Sequence, residues 1–315
     1  MDLVSYASAG RLAIIGASEA ALAWARRLAG KADGQLQVTV FADDEAPLPA
    51  ATPNTIPIHR TRALRITGWL GAFEITWTPA NPVDPATCTG CGACVEACGS
   101  DAIVRDGVAA YIDLDRCTDK RGCVSVCQVG AIDFSLAPRT ERFDLILDLA
   151  DTPHLAMAHP PQGYYAPGPD PLRVAEAALD LTEMVGEFEK PRYFAYDAKR
   201  CAHARSRIEG CSRCIETCST SAISADGDGI HVEPHLCMGC GACASVCPSG
   251  AMRYNYPGLP HSGAQIRAAL GAWQAAGGAA PRYFFSFRPS RWLPVLNSQM
   301  KISGSTEVRN ITRAW

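Results

Sequence analysis

The chain has 315 residues, of which 48% are apolar and 19% charged, with a formal net charge of −3 at pH 7. That apolar content supports about two packed domains and excludes a chain disordered throughout. Its 27 glycines and 22 prolines favour short elements and tight turns over a bundle of long helices. No stretch reaches the ~18 uninterrupted apolar residues of a spanning helix, and residues 1–10 lack a basic start followed by an apolar run. A cytoplasmic protein with no membrane span and no nucleic-acid partner is expected. Arg26 and Arg27 are followed by a polar stretch, residues 28–35, so they do not read as a twin-arginine signal.

Residues 1–83 are expected to form a small α/β docking segment. Residues 12–15 read as a strand, 19–28 as a helix and 37–41 as a strand ending at Asp43 and Asp44, which together make a βαβ-like half-unit. The turn GASEAA places Gly16 where a dinucleotide fingerprint begins, but Ser18 and Ala21 stand where its second and third glycines would be. Docking or packing is therefore expected of this segment rather than nucleotide binding.

Residues 84–135 carry the first cysteine runs. Cys88, Cys91, Cys94 and Cys98 follow the spacing CxxCxxCxxxC, in which closely spaced thiolates can wrap a metal cluster. Downstream, Cys117, Cys123 and Cys127 keep the first, third and fourth places of a similar run, while Lys120 occupies the second. Between the runs, an Ala-Ile start, a turn at Asp106-Gly107 and a return strand over 110–114 predict a small hairpin.

Residues 136–196 read as an α/β linker. Residues 143–149 have an apolar strand pattern, and 159–171 form a Pro-Gly loop. Asp170 and Pro171 are an N-cap and N1 pair opening a helix to about residue 189. Its expected buried stripe is Leu172, Ala175, Leu179, Met184 and Phe188. Tyr164 and Tyr165 are expected in aromatic turn packing, with a position near a cluster as the alternative.

Residues 197–256 repeat the cysteine pattern. Cys201 stands apart from Cys211, Cys214 and Cys218 by a lengthened first loop, and Cys237, Cys240, Cys243 and Cys247 form an unbroken run closed by Pro248. Eighteen residues separate Cys98 from Cys117, and eighteen separate Cys218 from Cys237, so the halves are duplicates. A second hairpin is expected, with a turn at Asp226-Gly227 and a return strand over 230–233. Residues 199–213, which include the lengthened loop, hold Lys199, Arg200, Arg205, Arg207 and Arg213 against Glu209, either a solvated loop or a surface that steers an acidic partner. His203 is expected to be a solvated loop residue.

Residues 257–315 are read as a helix followed by an incomplete α/β unit or tail. Ser262 is the expected cap of a helix through Ala276, closed by Gly277 and Gly278, with a strand over 282–287. Residues 281–315 hold six Lys or Arg against one Asp or Glu. Trp292, Leu293, Val295 and Leu296 favour an interrupted core over a basic docking tail.

All fifteen cysteines, in a chain without an export signal, point to metal or redox chemistry rather than disulfides. The runs over 84–135 and 197–254 resemble two bacterial two-cluster ferredoxin domains in tandem, about a third of the chain. The resemblance implies an α+β fold: in each domain two short hairpins and two short helices enclose a pair of iron–sulfur cubes. It also implies exchange of the fourth cysteines between neighbouring cubes. The ligand sets are then Cys88, Cys91, Cys94 and Cys127; Cys98, Cys117 and Cys123; Cys201, Cys211, Cys214 and Cys247; and Cys218, Cys237, Cys240 and Cys243. Three [4Fe-4S] sites are complete, and no cysteine is left over. Zinc is the alternative, but its knuckles are usually well-separated CxxC pairs.

Lys120 leaves the three-cysteine site without a normal fourth ligand, because a protonated lysine has no lone pair to offer iron. A three-iron cluster is favoured there over a cube completed by Asp119 or water, and over an empty site. The lead-in to Cys88 (LGAFEITWTPANPVDPATC) resembles the segment before the ferredoxin insert of heterodisulfide reductase A-like proteins. The tandem plan is similar to polyferredoxins associated with bacterial formate dehydrogenases. Single-electron relay between redox proteins is expected, with no catalytic residue of its own. An assembly or maturation factor for a redox enzyme is the alternative, and an enzyme subunit with a nucleotide or flavin site at Gly16 is a third reading.

Overall fold

The computed structural model describes residues 2–31, 35–43, 56–106, 109–118, 120–203, 210–227, 229–278, 282–288, 297–304 and 307–308. The chain divides into two compact units, one of Ser5–Phe188 and one of Met1–Val4 with Glu189–Trp315. Asp44, Gly107, Asp119, Arg205, Arg207, Glu209 and the apolar group at 292–296 lie outside the described residues. No described helix is long and apolar enough to cross a membrane.

In chain order the elements up to residue 79 are β1 (Leu3–Ser8), β2 (Arg11–Gly16), α1 (Ser18–Lys31), β3 (Gln37–Ala42), β4 (Ile58–Thr67) and β5 (Phe73–Pro79). The first cysteine-rich region adds α2 (Ala93–Glu96), β6 (Ile103–Asp106), β7 (Ala109–Ile112) and α3 (Gly122–Val126). Then follow β8 (Arg139–Phe143), β9 (Leu145–Asp148), β10 (Tyr164–Tyr165), α4 (Pro171–Thr182) and β11 (Gly186–Pro191).

The expected half-unit is part of a much larger structure. β2, α1 and β3 form where the sequence pattern puts them, but they lie within a seven-stranded sheet of order β10-β9-β2-β3-β4-β5-β8. It is parallel from β10 to β4 and antiparallel across β4-β5 and β5-β8. The linker thus supplies three strands to the N-terminal sheet. Leu145, Ile146 and Leu147 are wholly buried, as a parallel strand covered on both faces requires.

One face of the sheet packs Ile15, Phe41, Phe73, Ile75, Trp77, Phe143, Ile146 and Tyr164 together. Phe41 meets Trp77 and Phe143 edge-on, with ring centroids 5.0 and 5.5 Å apart, an arrangement the ring quadrupoles favour. Truncating a wholly buried ring such as Phe143 to Ala costs about 3–5 kcal/mol.

Two expectations about the linker are corrected. α4 ends at Thr182, not near residue 189, and the chain becomes strand from Gly186, whose φ of 126° no helix accommodates. Its buried face is Val174, Ala177, Ala178 and Leu181, while Leu172 and Leu179 are 68% and 64% exposed. Spacings of three, four and seven mark that face; the expected stripe followed residues lying largely across from it. The Asp170 cap is as expected, its carboxylate accepting from Leu172 N–H at 2.9 Å. Tyr164 belongs to sheet packing, and its hydroxyl donates to the buried Asp148 carboxylate, which also accepts from the His154 backbone N–H at 2.8 Å.

The second unit contains β12 (Phe194–Tyr196), a 3₁₀ turn (Ala198–Arg200), α5 (Arg213–Glu216), β13 (Ile223–Asp226), β14 (Gly229–Val232), α6 (Ala242–Val246) and β15 (Met252–Tyr254). They are followed by α7 (Leu259–Ala275), β16 (Arg282–Arg288), β17 (Asn297–Gly304) and β18 (Glu307–Val308). β12 pairs antiparallel with β15, and β13 with β14. α7 is capped at Gly258 rather than Ser262, because Pro260 suits the first turn of a helix. The C-terminal strands form an antiparallel sheet of order β16-β17-β18, so β16 does not begin the α/β unit expected of it.

Candidate metal centres

Both cysteine-rich regions are built by the same local rules. A loop bearing the first cysteines leads into a one-turn helix, then a hairpin, a second cysteine loop and a second short helix. In the hairpins β6–β7 and β13–β14, Asp106 stands opposite Ala109 and Asp226 opposite Gly229. Equivalent backbone bonds recur in both halves. Asp113 N–H donates to Ala102 and Glu233 N–H to Ala222, each at 2.8 Å, while Asp84 N–H donates to Ala131 and Asp197 N–H to Ala251 at 2.8 and 2.9 Å.

This scaffold gathers the thiols into separate groups. Cys88, Cys91, Cys94 and Cys127 line one concavity of about 450 Å³, walled by Val83, Val95, Ala110, Val129 and Ile132. Cys201, Cys211, Cys214 and Cys247 line another of about 300 Å³. Cys218, Cys237, Cys240 and Cys243 line a third of about 370 Å³. The remaining three group around the buried Cys123, whose thiol is pushed up by burial and by the nearby Cys117 and Cys98. Lys120 is exposed, and its Nζ reaches back to within 3.8 Å of where a Cβ on Gly99 would stand, beside Cys98. All fifteen cysteines are unpaired thiols.

Burial and crowding work against charge on most of these thiols, while the chain lowers the cost at a few of them. Burial and neighbouring sulfurs push up the thiols of Cys94, Cys214 and Cys237, and take Cys243 to about 11. Crowded thiols lose their protons readily only when a bound metal takes up the charge. At the edges the chain favours thiolate. Ser100 and backbone N–H groups bring Cys98 down, and hydrogen bonds from Met252 and Ser249 outweigh burial to bring Cys247 down. Ala131 N–H donates to Cys127 Sγ at 3.3 Å and Met252 N–H to Cys247 Sγ at 3.4 Å; such bonds set the potential of cluster sulfurs. Among the described residues no three His, Cys, Asp or Glu side chains come close enough to hold one metal ion.

Residues outside the runs brace these loops. In the first region the buried Asn81 donates to Ile112 O at 2.8 Å and accepts from Val83 N–H at 3.1 Å and Ile112 N–H at 3.3 Å. Arg121, with φ of 57°, lays its guanidinium 3.8 Å from the centre of the Phe134 ring. In the second region Lys190 Nζ donates to the carbonyls of His235 and Cys237 at 2.7 and 2.9 Å. Tyr193 lies so close to Gly239 that a Cβ there would stand 2.7 Å from its ring.

His203 is buried, contrary to the solvated position expected of it, with Nδ1 3.2 Å from Cys211 O. Gly210 brings its backbone close to Ala202, where a Cβ would stand 2.5 Å from the carbonyl oxygen. Asn81, Lys190 and His203 carry no spacing signal, so the sequence reading missed their roles. Gly16 is explained by packing, since a Cβ there would stand 3.0 Å from Cβ of Leu149.

A family model described as a 4Fe-4S dicluster domain matches residues 87–131 and 208–251, leaving Cys201 outside the second match. Among curated proteins, a ferredoxin of Alicyclobacillus acidocaldarius is 41% identical over 44 residues, 14% of this chain and 56% of that protein. The protein named ferredoxin 7Fe of Hydrogenibacillus schlegelii is 38% identical over 39 residues, 12% of this chain and 50% of its own length. An uncharacterised ferredoxin of Methanocaldococcus jannaschii is 36% identical over 44 residues, 14% of this chain and 71% of that protein. The chain thus spans about half the length of the first two.

Proposed function

Because the chain belongs, through its two cysteine-rich regions, to the 4Fe-4S dicluster ferredoxins, we propose that it relays single electrons between redox proteins through four cluster sites. The observation that carries this reading is the grouping of the thiols. Cys127 lines the concavity of Cys88, Cys91 and Cys94; Cys247 lines that of Cys201, Cys211 and Cys214; and Cys218 lines that of Cys237, Cys240 and Cys243. Each fourth cysteine therefore stands with the partner trio, as cluster exchange within a dicluster domain requires.

Clusters held by four thiolates supply one-electron chemistry and have no open position for a substrate. The chain's own part is to hold thiolate with backbone N–H donors, to wall the sites with apolar side chains, and to leave an edge near solvent. Cys91 and Cys240 are the exposed thiols, so the loops bearing them are where a partner comes nearest. The three-cysteine site is assigned a three-iron cluster, and the protein is assigned to the cytoplasm, where thiols stay reduced. A formate dehydrogenase-type or heterodisulfide reductase-type system is the partner class supported by the tandem plan and by the segment before Cys88.

Anaerobic reconstitution followed by iron and sulfide analysis tests the reading. About four clusters per chain, reversibly reducible and able to pass electrons to an acceptor protein, are expected. Stoichiometric zinc without acid-labile sulfide would overturn it. Clusters that bind but exchange no electrons would favour the assembly-factor alternative.

A further inference from the structure

Beyond Lys120 and the lengthened Cys201 loop, the two halves differ at a further position that bears directly on a cluster site. Val83 bridges to Ile132, and Tyr196 pairs with Met252; Ile132 and Met252 each follow the last cysteine of their half by five residues. Val83 therefore corresponds to Tyr196, and six residues earlier Trp77 corresponds to Lys190. Trp77 is buried among sheet residues. Lys190 instead points its ammonium into the loop that carries Cys237.

We infer that Lys190 positions the Cys237 loop and raises the reduction potential of the centre formed by Cys218, Cys237, Cys240 and Cys243. The inference rests on the electron-transfer reading above and deepens it. Two hydrogen bonds, to His235 O and Cys237 O at 2.7 and 2.9 Å, fix the cation against the ligand loop in a half-buried position. A fixed positive charge beside a site that gains an electron stabilises the reduced state, and burial weakens solvent screening of that effect. Glu233 is engaged by His235, whose Nδ1 lies at 2.6 Å and whose backbone N–H donates at 3.0 Å. Tyr193 and Tyr254 pack over Gly239 and Gly241 of the same loop and limit water there.

The test uses the full-length reconstituted protein, with Lys190→Gln and Lys190→Arg compared by potentiometric titration followed by paramagnetic resonance, and with iron and sulfide counted per chain. Lys190→Gln is expected to keep its iron and sulfide while one cluster's reduction equilibrium moves about tenfold toward the oxidised form, or about 59 mV for one electron. Lys190→Arg is expected to titrate like the wild type. An unshifted Lys190→Gln with all clusters in place would overturn the inference, as would Lys190→Arg shifting as far as Lys190→Gln. If Lys190→Gln cannot retain the cluster, Lys190→Arg decides by comparison with the wild type: an unchanged potential is expected, and a tenfold move toward the oxidised form, about 59 mV for one electron, would overturn the inference. A wild-type chain lacking acid-labile sulfide would instead sink the electron-transfer reading itself.

Discussion

Where the first cysteine-rich region uses the amide of Asn81 to tie its hairpin to the segment leading into Cys88, the second has Phe194 at the corresponding position, packed with Ile223, Ile230 and Met252. At four further positions the first region exposes Val104, Leu114, Val124 and Val129, where the duplicate has Ser224, Pro234, Ala244 and Ser249. Cys240 is matched by Lys120, and both are exposed. Ligand spacing and short hairpins are enough to repeat the scaffold. The residues that finish it are free to diverge: the first region exposes more apolar side chains, and the second lays Tyr193 and Tyr254 over the glycines of its last cysteine loop.

The comparison is broken most sharply at Lys120. If this residue alone makes the first region's second site incomplete, Lys120→Cys converts it to the pattern of the second region. A three-iron paramagnetic signal in the oxidised wild-type protein should vanish in the variant, with a gain in iron per chain. Oxidised spectra silent in both proteins, with iron already matching four complete cubes, would show that Lys120 creates no vacancy.

A smaller effect separates the regions by pH. Asp84 opens the first region and accepts from Arg139 at 2.8 Å and from Ala86 N–H at 3.1 Å, with His59 Nδ1 at 3.5 Å. Burial works against ionisation, yet His59, Ala86 and Arg139 together hold its pKa at about 2, below the usual 3.8. A depressed folded-state value means that the stabilisation is fully present above about pH 4 and is lost as pH falls toward 2. Its size is about 2 kcal/mol. Denaturant unfolding at pH 6 and pH 3 should show about half of this loss in the wild type and a flatter profile in Asp84→Asn; equal profiles would remove Asp84 from the account.

The smallest stability change is expected at the exposed valines. Val104→Ser with Val124→Ser should alter unfolding by less than about 0.5 kcal/mol, because both side chains already face solvent. Electron exchange with a partner that docks on this face should slow several-fold. An unchanged rate would show that the apolar surface is not used in docking.

The cysteine groups and hairpins were legible because each depends on short-range spacing: three thiols within seven residues, or an Asp-Gly turn between two four-residue strands. The sheet was legible only in part. β2, α1 and β3 are contiguous, whereas β8 and β9 reach their neighbours only after the first cysteine-rich region intervenes, and nothing in a local pattern reveals that return. α4 was misread because Leu172 and Leu179 are apolar residues facing solvent, and hydrophobicity alone does not say which face of a helix meets the sheet. Lys190, Asn81 and His203 act through contacts with backbone carbonyls and amides, whose positions exist only once the chain has folded.

The antiparallel pairing of β5 with β8 sets Trp77 directly opposite Arg139, so the whole first cysteine-rich region leaves and rejoins the sheet across one strand spacing, about 5 Å. Such a segment is a cassette on a hairpin. Joining its ends costs only the entropy of loop closure, which grows slowly with length, about 0.6 kcal/mol for each doubling. A gene encoding the bare sheet could therefore acquire, enlarge or discard this cassette without renegotiating its core, and excision with a short turn in its place would leave every strand of the sheet with its neighbours.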